Sequence, residues 1–440
     1  MNETRKTLGQ LAVPIGLEIL CAMLAGMVDT VMLSTVGDAA VGAVGTANTY
    51  LNLFIIMFSI ISSGMTAVMT QYIGAGQPGV AVQARQVGLW FNGLLGTALS
   101  LLLCLGAQPI AAMAGVAPAL RSHAVVYLRI VGGTCFLNAL VPIFSSYLRA
   151  FGHTRPPMVA AVVSNLCNLV LNAVFLFVFR LGVPGVAMAT ALSKVINLVM
   201  VQLASRRLVR AADYPQRIDN RTVAGQILRI GLPSAMETAL YNLSVAIIVR
   251  MLNQMDAQGL NVTARTYAMV VSNFSFCVAA AVSQANAILA GWRIGAGEFE
   301  QCSRATKRVA VLGILASAGT AAVFALFARP LIGLISADAQ LVSLAAKLLA
   351  VDILLEMGRA GNLVFGNALK ASGDALFTTI LGAVFMYLCA VGGGWLLGVR
   401  CGWMAVGIYM AMALDECVRA VCMGIRWHTG QWKEKCLVQQ

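Results

Sequence analysis

Two carboxylates stand inside one apolar run: Leu11 to Thr35 reads LAVPIGLEILCAMLAGMVDTVMLST and carries Glu18 and Asp29. A charged side chain at bilayer depth costs roughly 2.5–3.5 kcal/mol on insertion scales, so it must face a cavity, find a partner or take up a proton. Asp29 lies too deep to reach either surface and is the candidate site for a proton or a monovalent cation. Sodium is the one metal it could hold. Glu18, four residues after Pro14, reads as a carboxylate at a helix entrance, stabilised by nearby backbone N–H groups.

Similar chemistry returns late in the chain. Glu237 follows Pro233 by four residues as Glu18 follows Pro14, and for it a structural and a coupling role stay equally open. Glu356 and Arg359 are three apart and share a helical face. They form either a structural pair or part of a coupling or substrate site. Arg265 has no local partner and is expected to reach Glu237 or Glu356. Asp415 or Glu416 with Arg419 reads as a structural pair near the cytoplasmic end. Arg129, Lys194, Arg250 and Lys347 read as side chains snorkelling from span ends.

The elements that position these groups must be membrane helices. Of 440 residues, 59% are hydrophobic and 11% charged; a span needs about 20 apolar residues. The apolar runs predict about twelve spans, near 11–34, 42–70, 87–107, 120–143, 157–179, 185–204, 227–252, 262–290, 309–328, 340–366, 376–398 and 403–425. The fold class is therefore an all-α membrane protein. A net charge of +13 could suggest nucleic acid, but its distribution excludes that partner. With both termini cytoplasmic, eighteen Lys and Arg fall on the cytoplasmic side and four, Arg121, Arg180, Arg329 and Arg400, on the other. That asymmetry is the positive-inside rule. The eleven cysteines are scattered through apolar runs and read as reduced, buried hydrophobes. No cleavable signal sequence is expected ahead of the first span.

One unit is used twice. QYIGAGQPGVAVQARQ at 71–86 returns as WRIGAGEFEQCSRATK at 292–307, with the IGAG tetrads 221 positions apart. Leu148–His153 matches Leu369–Asp374 at the same offset, and Pro14 and Glu18 align with Pro233 and Glu237 at 219. Six spans per copy is an even number, so the copies share one orientation and form parallel repeats around a central cleft. The domains expected are an N-lobe at 1–204, a basic cytoplasmic linker at 205–222, a C-lobe at 223–426 and a cytoplasmic tail at 427–440. The linker's bases can also touch anionic lipid headgroups.

VDTVML in the first span, IGAG after the second, a Leu-Arg-Ala-x-Gly element ahead of Pro156 and Pro157, and the repeat of this order in the second half resemble the multidrug and toxic compound extrusion (MATE) family over nearly the whole chain. The resemblance implies efflux of organic cations or other amphipathic molecules in exchange for protons or sodium, with two six-helix lobes around a central cleft. It places Asp29 on the first-helix aspartate that binds the coupling cation in many members, Asn168 on a fifth-span asparagine, and Thr190 on a sixth-span threonine. Asn172 departs from the pattern, standing where one branch has an aspartate. Either Asp29 binds the ion with neutral oxygens, or coupling has moved to the C-lobe, where another branch uses a seventh-helix glutamate.

No G-x-x-x-x-G-K-[ST], G-x-S-x-G or zinc-ligand spacing occurs among the motifs, so an intramembrane enzyme, like a channel, is a distant alternative. A lipid-linked oligosaccharide flippase is the nearer rival, but such proteins line the cleft with several bases, which acids match here. The 21 methionines suit either a pliable cleft or ordinary core filling. The expected cycle begins with a proton or sodium ion occupying Asp29, with Asn168, Asn172 and Thr190, and weakening its hold on cationic cargo. The lobes then rock inward. No cofactor beyond the coupling ion is expected, and the protein is expected to act as a monomer in the cell membrane.

Overall fold

A bilayer offers no water to unpaired backbone groups, so apolar spans fold as helices. The computed structural model describes residues 6–36, 38–113, 118–256 and 259–438, and among these there is no strand. The α-helices are α1 (Leu8–Ser34), α2 (Asp38–Gly74), α3 (Pro78–Leu105), α4 (Ala107–Met113), α5 (Pro118–Tyr127), α6 (Cys135–Ala150), α7 (Arg155–Ala173) and α8 (Val183–Leu208). They continue as α9 (Asn220–Asn253), α10 (Leu260–Gly295), α11 (Phe299–Leu326), α12 (Ala328–Gly333), α13 (Ala339–Ser372), α14 (Ala375–Phe385) and α15 (Met404–Thr429).

Among the described residues ten helical stretches are long and apolar enough to cross a membrane. The remaining two expected spans, 340–366 and 403–425, are the long helices α13 and α15, whose buried acidic and basic side chains dilute the apolar signal. Among the described residues three spans contain π-helical turns, at Leu128–Gly132, at Val174–Val178, and at both Met386–Gly393 and Trp395–Arg400. Wide turns of this kind occur often at functional sites.

The chain divides into two compact units, one holding Leu17–Leu232 and the other Thr7–Gly16 with Pro233–Gln440. The divisions fall inside α1 and α9, beside Pro14 and at Pro233. In the first unit α2 and the start of α9 meet backbone to backbone: a Cβ on Gly231 would lie 1.8 Å from the Ile60 carbonyl oxygen, and one on Gly64 2.0 Å from that of Ile227. Only glycine permits that approach. In the second unit α13 packs along α10, α11 and α15, and the stacked rings of Trp427 and Trp432, 4.2 Å apart, close one end of its core.

The sequence repeat is a repeat of geometry. Each IGAG ends a helix with its last glycine left-handed, Gly76 and Gly297 both at φ 75°. The following N–H then bonds back, Gln77 to Tyr72 O and Glu298 to Arg293 O, each at 2.8 Å. This is the Schellman ending. The second repeated element behaves alike, with His153 N–H on Leu148 O at 2.8 Å and Asp374 N–H on Leu369 O at 2.9 Å.

The polar stretch at 205–222 is shorter as a loop than the sequence suggests, because α8 runs to Leu208 and α9 begins at Asn220. What remains is pinned to α3. Gln83 Nε2 donates to Ile218 O at 2.7 Å, Ile218 N–H donates to Gln83 Oε1 at 3.1 Å, and Arg217 donates to Gly79 O at 3.0 Å.

Candidate functional site

In the first unit, α1 carries Asp29 against α7. Asn168 and Asn172 are four apart on α7 and so share one face. Asn172 Nδ2 donates to Asp29 Oδ1 at 2.8 Å. Asn168, with its amide turned to satisfy its neighbours, donates to Oδ1 at 2.7 Å and Oδ2 at 3.1 Å. Both amides thus present N–H groups to the carboxylate, whereas the sequence suggested neutral oxygens for an ion. Asn172 Oδ1 is buried without a partner. A π turn begins two residues after Asn172, and another follows Tyr127 directly.

Thr190 does not join Asp29 directly among the described residues. Its hydroxyl donates to Val186 O within α8 at 2.9 Å and lies beside Tyr127, whose hydroxyl donates to Asn48 Oδ1 at 3.2 Å. Tyr127 is in turn within electrostatic reach of Asp29. The α7–α8 contact is fixed by Ser164 Oγ donating to Ser193 O at 2.7 Å.

Lys194 overturns its expected role as a span-end side chain. It sits near the middle of α8, is partly buried, and lies within electrostatic reach of Asp29. The legible signal was its position: the helix continues for at least ten residues on either side. Arg129, Arg250 and Lys347 are exposed, as expected of snorkelling groups.

The second unit holds a ladder of buried charges. Ser272 Oγ on α10 donates to Glu356 Oε1 at 3.5 Å, Arg359 pairs with Glu356, and Arg359 Nε approaches Glu416 Oε1 at 3.7 Å. Arg419 then bridges Glu416 Oε1 at 3.0 Å and Asp415 Oδ2 at 2.6 Å, while Asn362 Nδ2 donates to Glu416 Oε2 at 2.8 Å. The two pairs expected separately on α13 and α15 are one network, and both Asp415 and Glu416 engage Arg419. Asp352, one turn before Glu356 and 2% exposed, was missed. Its i,i+4 spacing to Glu356 was the signal.

Among the described residues Arg265 forms no ion pair or hydrogen bond with Glu237 or Glu356, although Glu356 Oε2 is buried without a partner. Arg359 holds Glu356, and Lys370 Nζ holds Glu237 Oε2 at 2.9 Å. Arg265 lies near Tyr409, with its Nε buried and unpartnered. Glu18 is paired as well, to Arg149 at 2.6 Å. Glu18–Arg149 and Glu237–Lys370 occupy equivalent positions of the two repeats. Each ties the helix that changes units to α6 or α13 of the unit it has just entered.

Two helical units of one repeated design, with a carboxylate enclosed by amides in the first and a charge ladder in the second, define a multi-pass membrane transporter. The MatE family model matches residues 14–174 and 233–396. An uncharacterised transporter of Bacillus subtilis, YisQ, is 33% identical over 428 residues, covering 96% of this chain and 94% of that protein. A probable multidrug resistance protein of Thermotoga maritima, NorM, is 23% identical over 444 residues, covering 99% and 95%. The fold superposes on the Vibrio cholerae MATE transporter VcmN with a TM-score of 0.87 at 19% identity, covering 97% of this chain and 98% of that one. The chain belongs to the MATE family of multidrug efflux transporters, and is a transporter, not an enzyme.

Proposed function

We propose that this protein exports small cationic or amphipathic molecules across the cell membrane by alternating access of its two lobes, in exchange for a monovalent cation that enters at Asp29. The observation carrying this reading is the Asp29 carboxylate held within the first unit by Asn172 and Asn168. A carboxylate so placed is stable when its charge is matched, so cargo cation and coupling ion compete for it. Each positive charge moving down 100 mV supplies about 2.3 kcal/mol, enough to raise a monovalent cargo well above equilibrium. Both termini are taken as cytoplasmic, the working unit as a monomer, and the bases of 205–222 as facing anionic lipid.

A second reading places coupling in the C-lobe. Its support is the surplus of acids there, Asp352, Glu356, Asp415 and Glu416 sharing Arg359 and Arg419. The test is uptake of a fluorescent organic cation into inside-out vesicles under an imposed proton or sodium gradient. Loss of driven uptake in Asp29→Asn with survival in Glu356→Gln supports the first reading. The reverse pattern overturns it in favour of the second.

A further inference from the structure

The linker of the first unit and the tail of the second lie on equivalent ground. α8 ends at Leu208 and α15 at Thr429, 221 positions apart as the IGAG turns are, and each is followed within three residues by a 3-10 turn, Ala211–Asp213 and Gln431–Lys435. The helices that open after the IGAG turns, α3 and α11, start at Pro78 and Phe299, again 221 apart. In the first unit the linker is bound to that start: Arg217 Nη1 donates to Gly79 O at 3.0 Å, Gln83 and Ile218 exchange two hydrogen bonds, and a Cβ on Gly79 would lie 2.4 Å from Gln216 O. In the second unit the tail is bound to the matching residues. Trp432 meets the Phe299 ring edge-on at 5.9 Å, and Lys433 Nζ pairs with Glu300 Oε1 at 2.7 Å. Glu300 holds the place of Gly79 in the repeat. The other anchor is shared too. Tyr214 packs on Phe151 at 5.7 Å, beside the left-handed Gly152 that follows α6, and Lys435 O lies where a Cβ on the left-handed Gly373, after α13, would come within 2.4 Å.

We infer that linker and tail are one element of the repeat used twice, a strap that ties the third, fourth and sixth spans of its unit together at one end and lets the unit move as a single body. The inference rests on the alternating movement of two lobes proposed above, which requires each lobe to keep its shape as it turns. Helix ends with exposed backbone hydrogen bonds fray first, and the straps cover such ends. They are fastened differently. The linker runs on into α9 and is tethered at both ends, whereas the tail is held by its own contacts, of which the Trp432 indole decides. It is fully buried, stacks on Trp427 and donates Nε1–H to Trp427 O at 2.9 Å. A buried aromatic ring outweighs an exposed ion pair such as Lys433 with Glu300.

The experiment compares the full chain with one ended after Gly430 and with Trp432→Ala, Trp432→Phe, Lys433→Ala and Gly79→Ala, none of which touches Asp29 or the charge ladder. Ethidium binding is read by fluorescence in detergent, and ethidium uptake in vesicles under a proton or sodium gradient at matched protein amounts. Binding is expected to stay near the wild-type affinity throughout. Uptake should fall on the order of tenfold in the shortened chain, in Trp432→Ala and in Gly79→Ala, because a conformational step is slowed while the cargo site is left intact. Trp432→Phe should recover most of the uptake, and Lys433→Ala should keep nearly all of it. Wild-type uptake in the shortened chain and in Trp432→Ala overturns the strap. So does a loss of binding in step with uptake, which would show that the tail only supports the fold. If the shortened chain does not fold, the contrast of Trp432→Ala with Trp432→Phe decides between these outcomes. Wild-type uptake that neither gradient drives overturns the exchange reading, and the strap with it; failure of the strap alone shows as driven uptake indifferent to the tail.

Discussion

Asn172 donates its amide N–H to Asp29 Oδ1 across 2.8 Å, from α7 to α1 within the first unit. A hydrogen bond to a charged group is worth about 1.5–3 kcal/mol. Asn172→Ala is therefore expected to lower gradient-driven uptake by about tenfold or more, while Asp29→Asn abolishes it. Vesicle uptake at matched protein amounts measures both. Unchanged uptake in Asn172→Ala would remove the amide from the site.

The paired acids that follow the two prolines are expected to behave as equivalents. Glu18–Arg149 and Glu237–Lys370 are each partly exposed, so breaking either should cost on the order of 1–2 kcal/mol, between exposed and buried pairs. Glu237→Gln should lower the melting temperature as Glu18→Gln does. The swap Glu237→Lys with Lys370→Glu should recover most of the loss. A swap no better than either single change would show that the charges do not act on one another.

Arg419 is 4% exposed and serves both Asp415 and Glu416. Arg419→Met leaves two buried acids short of their partner, a loss of about 3–5 kcal/mol. Adding Asp415→Leu removes one of them and should restore part of the stability. Thermal unfolding in detergent checks the order of the three melting points.

Gly64 and Gly231 admit no Cβ without moving a carbonyl. Gly231→Ala should destabilise the first unit by about 1–3 kcal/mol through overpacking. Gly225 lies on the same helix with open space at its Cβ, so Gly225→Ala should be neutral or slightly stabilising. Equal melting temperatures for the two variants would contradict the close approach.

Asp256, in the loop ahead of α10, accepts from Leu260 N–H at 2.7 Å and from Asn261 N–H at 3.0 Å and Nδ2 at 2.6 Å. The Asn261 side chain, followed by its backbone N–H, holds the Asp256 carboxyl below the usual aspartate value of 3.8. A lowered pKa in the folded state stabilises above the unfolded value and is lost as pH falls through the folded one. Asp256→Ala should thus lower stability by about 1 kcal/mol at neutral pH, the size of a lost helix cap. The gap should close as pH falls below 3.8. A gap that persists there would assign the effect to packing.

The helices, their repeat and the family were legible in the chain itself. A span must satisfy its own backbone, so apolar length decides it locally, and the IGAG and Leu148–His153 elements encode helix endings whose bonds close within six residues. Asp29 stood out because a carboxylate in an apolar run is anomalous wherever it lies, whereas Asn168 and Asn172 were singled out by the family resemblance, their i,i+4 spacing giving them one face. Partners on different helices were decided by tertiary structure. Arg359 stood as the candidate for Glu356 and Arg265 for Glu237 or Glu356; the packing of α9 against α13 gave Glu237 to Lys370 instead. A charge in a sequence says that a partner is needed; which partner it meets depends on crossing helices, and no local rule carries that distance.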